Sequence, residues 1–105
     1  MPLSSLGERE LDVMMVLWDV GAAPVSTVRH RLAAPLAYTT VLTVLRNLET
    51  KGYVAHTSAG RSHVFTPCVK RESVQRAALE RVLNRYFARS PAALTRMLRR
   101  IRSLV

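Results

Sequence analysis

Residues 37–52 read Ala37-Tyr38-Thr39-Thr40-Val41-Leu42-Thr43-Val44-Leu45-Arg46-Asn47-Leu48-Glu49-Thr50-Lys51-Gly52, and the spacing within this stretch decides the fold. Val41, Val44, Leu45 and Leu48 recur at the three- and four-residue intervals that gather side chains on one face of an α-helix, with Tyr38 beside them. On the opposite side, at about 100° per residue, fall Thr39, Thr43, Arg46 and Thr50, flanked by Thr40 and Asn47. An ordinary solvated face is built from Glu, Lys and Gln, which are better helix formers. Four threonines on one outer surface weaken a helix, because β-branching restricts χ1. Such a surface suits contact rather than stability. Threonine offers a hydroxyl to phosphates or base edges and a methyl to thymine; arginine can grip guanine bidentately and asparagine adenine. Gly52 supplies the C-terminal stop.

The flanking segments place this helix third. A first helix is expected from Ser5 or Leu6 to about Val20, with Leu11, Met14, Met15 and Trp18 as its apolar stripe and Ser5 to Glu8 as a capping-box spacing. Gly21-Ala22-Ala23-Pro24 ends it. A short second helix follows with Ser26 as its N-cap, Val28 and Leu32 inward, and Arg29, His30 and Arg31 on the remaining surface; Ala33-Ala34-Pro35 breaks the chain again. After Gly52 the period changes. Tyr53-Val54-Ala55-His56-Thr57 and Ser62-His63-Val64-Phe65-Thr66 are β-prone runs around Ser58-Ala59-Gly60-Arg61, a hairpin pattern, and Pro67 closes the second strand as at a sheet edge.

Three helices and then a hairpin is the order of a winged helix-turn-helix, in which the second helix of the reading pair faces base edges. Thr39, Thr40, Thr43, Arg46 and Asn47 are therefore the candidate base readers. Arg61 at the hairpin tip is placed to reach a phosphate or the minor groove, and Arg29 and Arg31 to meet the DNA backbone.

Two more helices are expected. One runs from about Arg71 to Ala88, with Val74, Ala78, Leu79, Val82, Leu83 and Tyr86 on a broad apolar face. The last opens on Ser90-Pro91 and carries a narrow stripe of Leu94, Met97, Leu98 and Ile101, then Leu104 and Val105, among Arg96, Arg99, Arg100 and Arg102. The stripe is too apolar to stay exposed on a small domain, so it either folds back on the preceding helix or pairs with its copy in a second subunit; pairing is the reading preferred here. The expected architecture is mainly α with a small β-hairpin: a winged helix-turn-helix over residues 1–68, followed by helical dimerisation elements over residues 69–105.

The 105 residues are 49% hydrophobic and 22% charged, a globular rather than disordered composition. Of the formal charge of +9, residues 1–67 contribute only +1, from six Lys/Arg and five Asp/Glu; residues 68–105 contribute +8, from ten Lys/Arg and two Glu. The basic excess fits DNA, an anionic membrane surface or an acidic partner equally well, so it does not choose among them. No apolar run nears the roughly 20 residues of a membrane span, and the N-terminus lacks the basic and apolar regions of a signal peptide, so a cytoplasmic protein without membrane insertion is expected. Lone Cys68 allows no internal disulfide and no multi-cysteine metal site. His30 has no ligand-like neighbour, and His56 and His63, which could meet across the hairpin, are expected to be solvated or hydrogen-bonded; neither a metal nor another cofactor is implied. There is no nucleophile elbow, no phosphate-cradling glycine loop and no carboxylate pair near a plausible pocket, so an enzyme is not the expectation.

With these segments in place, the chain resembles the penicillinase and methicillin-resistance repressors (BlaI/MecI type). The resemblance is carried by Leu6-Gly7-Glu8 with Glu10, Val13-Met14 and Leu17-Trp18; by Ala37 to Leu45 with Leu48, Lys51 and Gly52; by Gly60 to Pro67; and by Ser90-Pro91-Ala92-Ala93-Leu94. It implies a homodimeric repressor on palindromic operators, relieved in the best-known members when a membrane-bound sensor protease triggers cleavage in the dimerisation region. The family's cleavage point is an Asn-Phe step, whereas the corresponding positions here are Met97-Leu98. The family also usually continues into an acidic, leucine-rich segment, whereas this sequence reaches Val105 amid arginines, which implies weaker or DNA-assisted dimerisation. The related copper-responsive repressors carry a cysteine-rich tail, which a single Cys68 does not match. The competing reading, of another class, is a protein-interaction winged helix whose basic helices bind an acidic partner or a membrane surface.

Overall fold

In the computed structural model, which describes residues 3–104, the first helix, α1 (Glu8–Val20), starts later than the periodicity suggests. Gly7 rather than Ser5 is the N-cap: the Glu10 carboxylate turns back to accept the Gly7 amide N–H at 2.9 Å, satisfying one of the donors a helix start leaves open. The buried stripe also differs from the expected one. Val13, Met14 and Leu17 are fully enclosed, whereas Leu11 and Met15 are exposed. The spacing admitted both stripes, and the packing of the other helices selects the first.

Ala23 and Pro24, expected only to end α1, form a short strand, β1 (Ala23–Pro24). It pairs antiparallel with β3 (Ser62–Pro67), which pairs on its other side with β2 (Val54–Ala59), giving the order β1-β3-β2. The registers are Ala23↔Phe65 and Pro24↔Val64 on one side, and Val54↔Pro67 through Ala59↔Ser62 on the other. β3 is thus the central strand, a correction to its reading as an edge. Pro67 is tolerated because β1 reaches only Val64 and Phe65, so Pro67 has a partner on one side alone.

Pro24 is also the N-cap of α2 (Val25–Arg31), at φ −74° and ψ 165°. Its ring fixes an extended residue directly before the helix, so Ser26 falls inside the first turn instead of capping it. The third helix, α3 (Tyr38–Thr50), buries Val41, Val44, Leu45 and Leu48, the face its spacing requires. Leu45 and Leu48 join Met14, Leu17, Val28, Tyr53 and Phe65 in the fully enclosed core. Each such side chain contributes about 1.5–3 kcal/mol relative to leaving it in water. Trp18 at the rim donates its indole N–H to the Val69 carbonyl at 2.8 Å, and the Arg71 guanidinium lies 5.7 Å from its ring centre.

Contacts divide the chain into two units, Ser4–Arg71 and a second that runs from Glu72 and takes in Leu3. The second unit is formed by α4 (Arg71–Tyr86) and α5 (Pro91–Leu104). α4 ends at Tyr86, short of the expected Ala88, because Ala88 and Arg89 turn to positive φ (47° and 64°) and the Arg89 amide closes on the Leu83 carbonyl at 3.1 Å. Ser90 caps α5 as its sequence position suggests, accepting the Ala93 amide at 3.1 Å. Leu79, Val82, Tyr86, Met97, Leu98 and Ile101 are exposed, and Leu94 is half-buried. Val105, the last member of the expected stripe, lies outside the described residues.

Candidate nucleic-acid interface

α2, the turn 32–37 and α3 make the helix-turn-helix. The turn is held from within: Arg29 Nε donates to the Leu36 carbonyl at 2.8 Å, so this guanidinium braces the entry to α3. At the far end, the Gly52 amide bonds the Glu49 carbonyl at 3.0 Å and the Tyr53 amide bonds the Leu48 carbonyl at 2.9 Å. With Gly52 at φ 84°, this is a Schellman closure, and it puts Tyr53 into the core directly before β2. The same end is anchored to the start of α1. Lys51 Nζ reaches Glu10 Oε1 at 2.7 Å and the Ser5 carbonyl at 3.2 Å, and the Tyr53 hydroxyl donates to the Ser4 carbonyl. Burial raises the Glu10 carboxyl pKa, but the hydrogen bonds from Lys51 and Gly7 and the Lys51 charge outweigh it, so the group sits below the ordinary carboxylate value.

On this anchored helix, Thr39, Thr43, Arg46, Asn47 and Thr50 are exposed and Thr40 is half-buried. Arg46 and Asn47 make no side-chain hydrogen bond among the described residues, so both are free to take a partner from outside. The threonines divide. Thr43 Oγ1 donates to the Thr39 carbonyl at 2.9 Å and Thr50 Oγ1 to the Arg46 carbonyl at 3.1 Å, which commits those hydroxyl protons to the helix and leaves the oxygens as acceptors. Thr39 and Thr40 keep theirs to donate.

The wing follows. Two residues, Gly60 and Arg61, separate Ala59 from Ser62, and only Gly60 has positive φ (64°), the sign pattern of a II′ hairpin turn. Arg61 is exposed at the tip, as its position in the sequence suggests. Arg31 is exposed too, but it lines depressions with Asp12, Met15 and Val16 and with Asp19, Val20 and Arg71 rather than with α3. The structure therefore groups Thr39, Thr40, Thr43, Arg46 and Asn47 on one surface, seats Arg29 at the turn beneath it, and sets Arg31 apart.

Two features escaped the sequence. Arg9, on the first turn of α1, shares a shallow depression with Thr39, Thr40, Thr43 and Val44. His56 on β2 places Nδ1 2.5 Å from Glu49 Oε2, while its ring meets His63 edge-on at 4.9 Å between centroids. His56 and His63 are diagonal rather than facing, since His56 pairs with Phe65 and His63 with Ser58.

A helix-turn-helix with an exposed hydroxyl- and guanidinium-bearing helix and an arginine-tipped hairpin defines a winged-helix DNA-binding protein. The chain belongs to the penicillinase repressor family, whose model matches residues 6–103, and it is accordingly a DNA-binding transcriptional repressor. The solution structure of the DNA-binding domain of the repressor BlaI is similar at a TM-score of 0.60 and 27% identity, over 68% of this chain and 89% of that one. Monomeric Bacillus licheniformis BlaI, in complex with the blaP half-operator, gives 0.58 at 27% identity over the same shares. The CopR repressor structure gives 0.53 at 28% identity, over 64% of this chain and 100% of that one. No curated protein matches the sequence. Among the described residues, no helix is long and apolar enough to cross a membrane.

Proposed function

We propose that the chain acts in the cytoplasm as a homodimer that occupies a palindromic operator and blocks transcription by occupancy rather than by chemistry. Thr39, Thr40, Thr43, Arg46 and Asn47 enter the major groove, Arg61 holds the flanking backbone or minor groove, and Arg29 contacts a phosphate with the terminal nitrogens that its bond to the Leu36 carbonyl leaves free, whereas Arg31, on the α1 side of α2, is left out of this surface. The observation that carries this reading is the exposure of Arg46 and Asn47, whose side chains have no hydrogen-bond partner among the described residues, opposite the buried Val41/Leu45/Leu48 face.

The exposed apolar stripe of α5, Met97, Leu98 and Ile101 with half-buried Leu94, supports pairing between two copies. Two linked reading heads turn a modest single-site affinity into specific binding. In the family a sensor protease relieves repression by triggering cleavage at an Asn-Phe step; Met97-Leu98 occupies that place here, so induction of this chain proceeds by another route.

Enrichment from a randomised duplex pool, followed by sequencing, tests the reading. A motif with two symmetric half-sites about one helical turn apart, or a multiple of that, is the expected result. Enrichment without any shared motif overturns it. Retention on anionic vesicles with no preference among duplexes favours instead a surface-binding role for the arginine-rich α5.

A further inference from the structure

Arg9 stands where a cation gains least from its own helix. It occupies the first turn of α1, near the positive end of the backbone dipole, where acidic residues such as its neighbours Glu8 and Glu10 are favoured. Glu10 does not compensate it, because its Oε1 is already shared by the Gly7 amide and Lys51 Nζ. Among the described residues the Arg9 guanidinium has no hydrogen bond and no ion pair, and the residue is exposed. A guanidinium held at such a position without a partner is open to one from outside.

The surroundings define the chemistry of that partner. Arg9 borders two depressions: one on the α2 side, where Glu8, Asp12 and Arg31 also stand without an ion pair to it, and one lined by Thr39, Thr40, Thr43 and Val44 of α3, which holds no carboxylate. Thr43 has committed its proton to the Thr39 carbonyl, whereas the Thr39 and Thr40 hydroxyls remain able to donate. One planar five-donor cation beside two hydroxyl donors matches a group with several anionic oxygens and no proton to give. A phosphate diester is such a group. Lys51 and Glu10 fix the start of α1 against the end of α3, so Arg9 is carried on the same rigid frame as the base-reading residues.

We propose that Arg9, Thr39 and Thr40 form a clamp for one backbone phosphate of the operator, at the rim of the groove that Thr43, Arg46 and Asn47 read. The inference rests on the DNA-binding reading and deepens it. Thr39 and Thr40 thereby become register-setting residues, while sequence selection falls to Thr43, Arg46 and Asn47. A phosphate contact positions the protein without carrying sequence information.

The test uses the full chain and a duplex enriched by the protein itself from a random pool. Binding is followed by fluorescence anisotropy across a salt series, for wild type and for Arg9→Ala, Arg9→Lys and Arg9→Gln. Arg9→Ala is expected to weaken binding about tenfold at low salt and to reduce the slope of log K against log salt by about one, equally on the enriched duplex and on a scrambled one. Arg9→Lys keeps most of the slope and Arg9→Gln does not. Thermal unfolding stays unchanged or shifts upward in Arg9→Ala, since a cation leaves the positive end of α1. Scanning the duplex with single neutral methylphosphonates adds a readout that general destabilisation cannot mimic. One position should weaken wild type and leave Arg9→Ala unaffected. If wild type prefers the enriched duplex but Arg9→Ala matches it in affinity, slope and methylphosphonate profile, the clamp is wrong and the DNA reading stands. If wild type shows no duplex preference, the DNA reading itself fails.

Discussion

His56 Nδ1 lies 2.5 Å from Glu49 Oε2, joining the last turn of the reading helix α3 to the first strand of the wing. Both side chains are about one-third exposed, at 38% and 34%. The pair therefore adds little to global stability and acts chiefly on the angle between α3 and the hairpin. The Schellman closure at Gly52 sets that angle coarsely, and the Glu49–His56 contact pins it from the side.

Glu49→Gln and His56→Ala are each expected to lower unfolding free energy by no more than about 1 kcal/mol. Amide exchange in β2 and β3 should accelerate, while exchange in α1 is unchanged. Denaturant titration and hydrogen exchange on the same samples check both halves. Uniform acceleration throughout the first unit would mean that the pair supports the core rather than the wing.

The Glu10–Lys51 contact gives a pH dependence of definite sign. The folded Glu10 carboxyl lies below its ordinary value of 4.5. The unfolded chain therefore takes up that proton first on acidification. The contribution is fully present above the unfolded value and is lost as pH falls through the folded one. Glu10→Gln should cost about 1 kcal/mol or less at pH 7, and wild type and variant should converge in strongly acidic solution. Urea midpoints measured from pH 7 downward test this; a gap that persists below the carboxylate range would assign the effect to packing instead.

In α3 the apolar and polar positions separate cleanly, so both the buried face and the candidate reading surface follow from period alone. Gly60 and Gly52 mark turns that demand positive φ. α1 was harder, because Leu11, Met14, Met15 and Trp18 form a stripe as regular as the one that is buried. Only its packing partners choose between them. β1 is two residues long, too short for any alternation to register, and exists because β3 offers a free side at Val64 and Phe65. Arg9 and the Glu49–His56 pair rest on contacts between segments far apart in sequence, which one sequence does not reveal.

Assembly through α5 predicts opposite responses to salt. Leu98→Asp and Ile101→Asp should give monomers, because an unpaired carboxylate in an apolar interface is strongly disfavoured. Arg96, Arg99, Arg100 and Arg102 crowd the same helix, so screening their repulsion should tighten self-association as salt rises, while DNA binding weakens. Sedimentation across a salt series distinguishes the cases. A wild-type monomer at micromolar concentration and every salt removes the dimer. A dimer that dissociates as salt is added keeps the assembly and points to Glu72 or Glu80 pairing with those arginines across subunits.

If the exposed face of α3 reads base sequence, the loss of Arg46 must alter base preference at a single position. Affinities of wild type and Arg46→Ala for the enriched duplex, for each of its single-base variants and for a scrambled duplex should be measured at one fixed salt concentration. Wild type is expected to prefer the enriched duplex over the scrambled one by roughly a thousandfold or more. Arg46→Ala should lose about 1–3 kcal/mol on that duplex and become indifferent to the base at one position, with unfolding unchanged because the side chain is exposed. An Arg46→Ala protein that keeps wild-type affinity and wild-type preference at every position would mean that α3 does not read bases through this face.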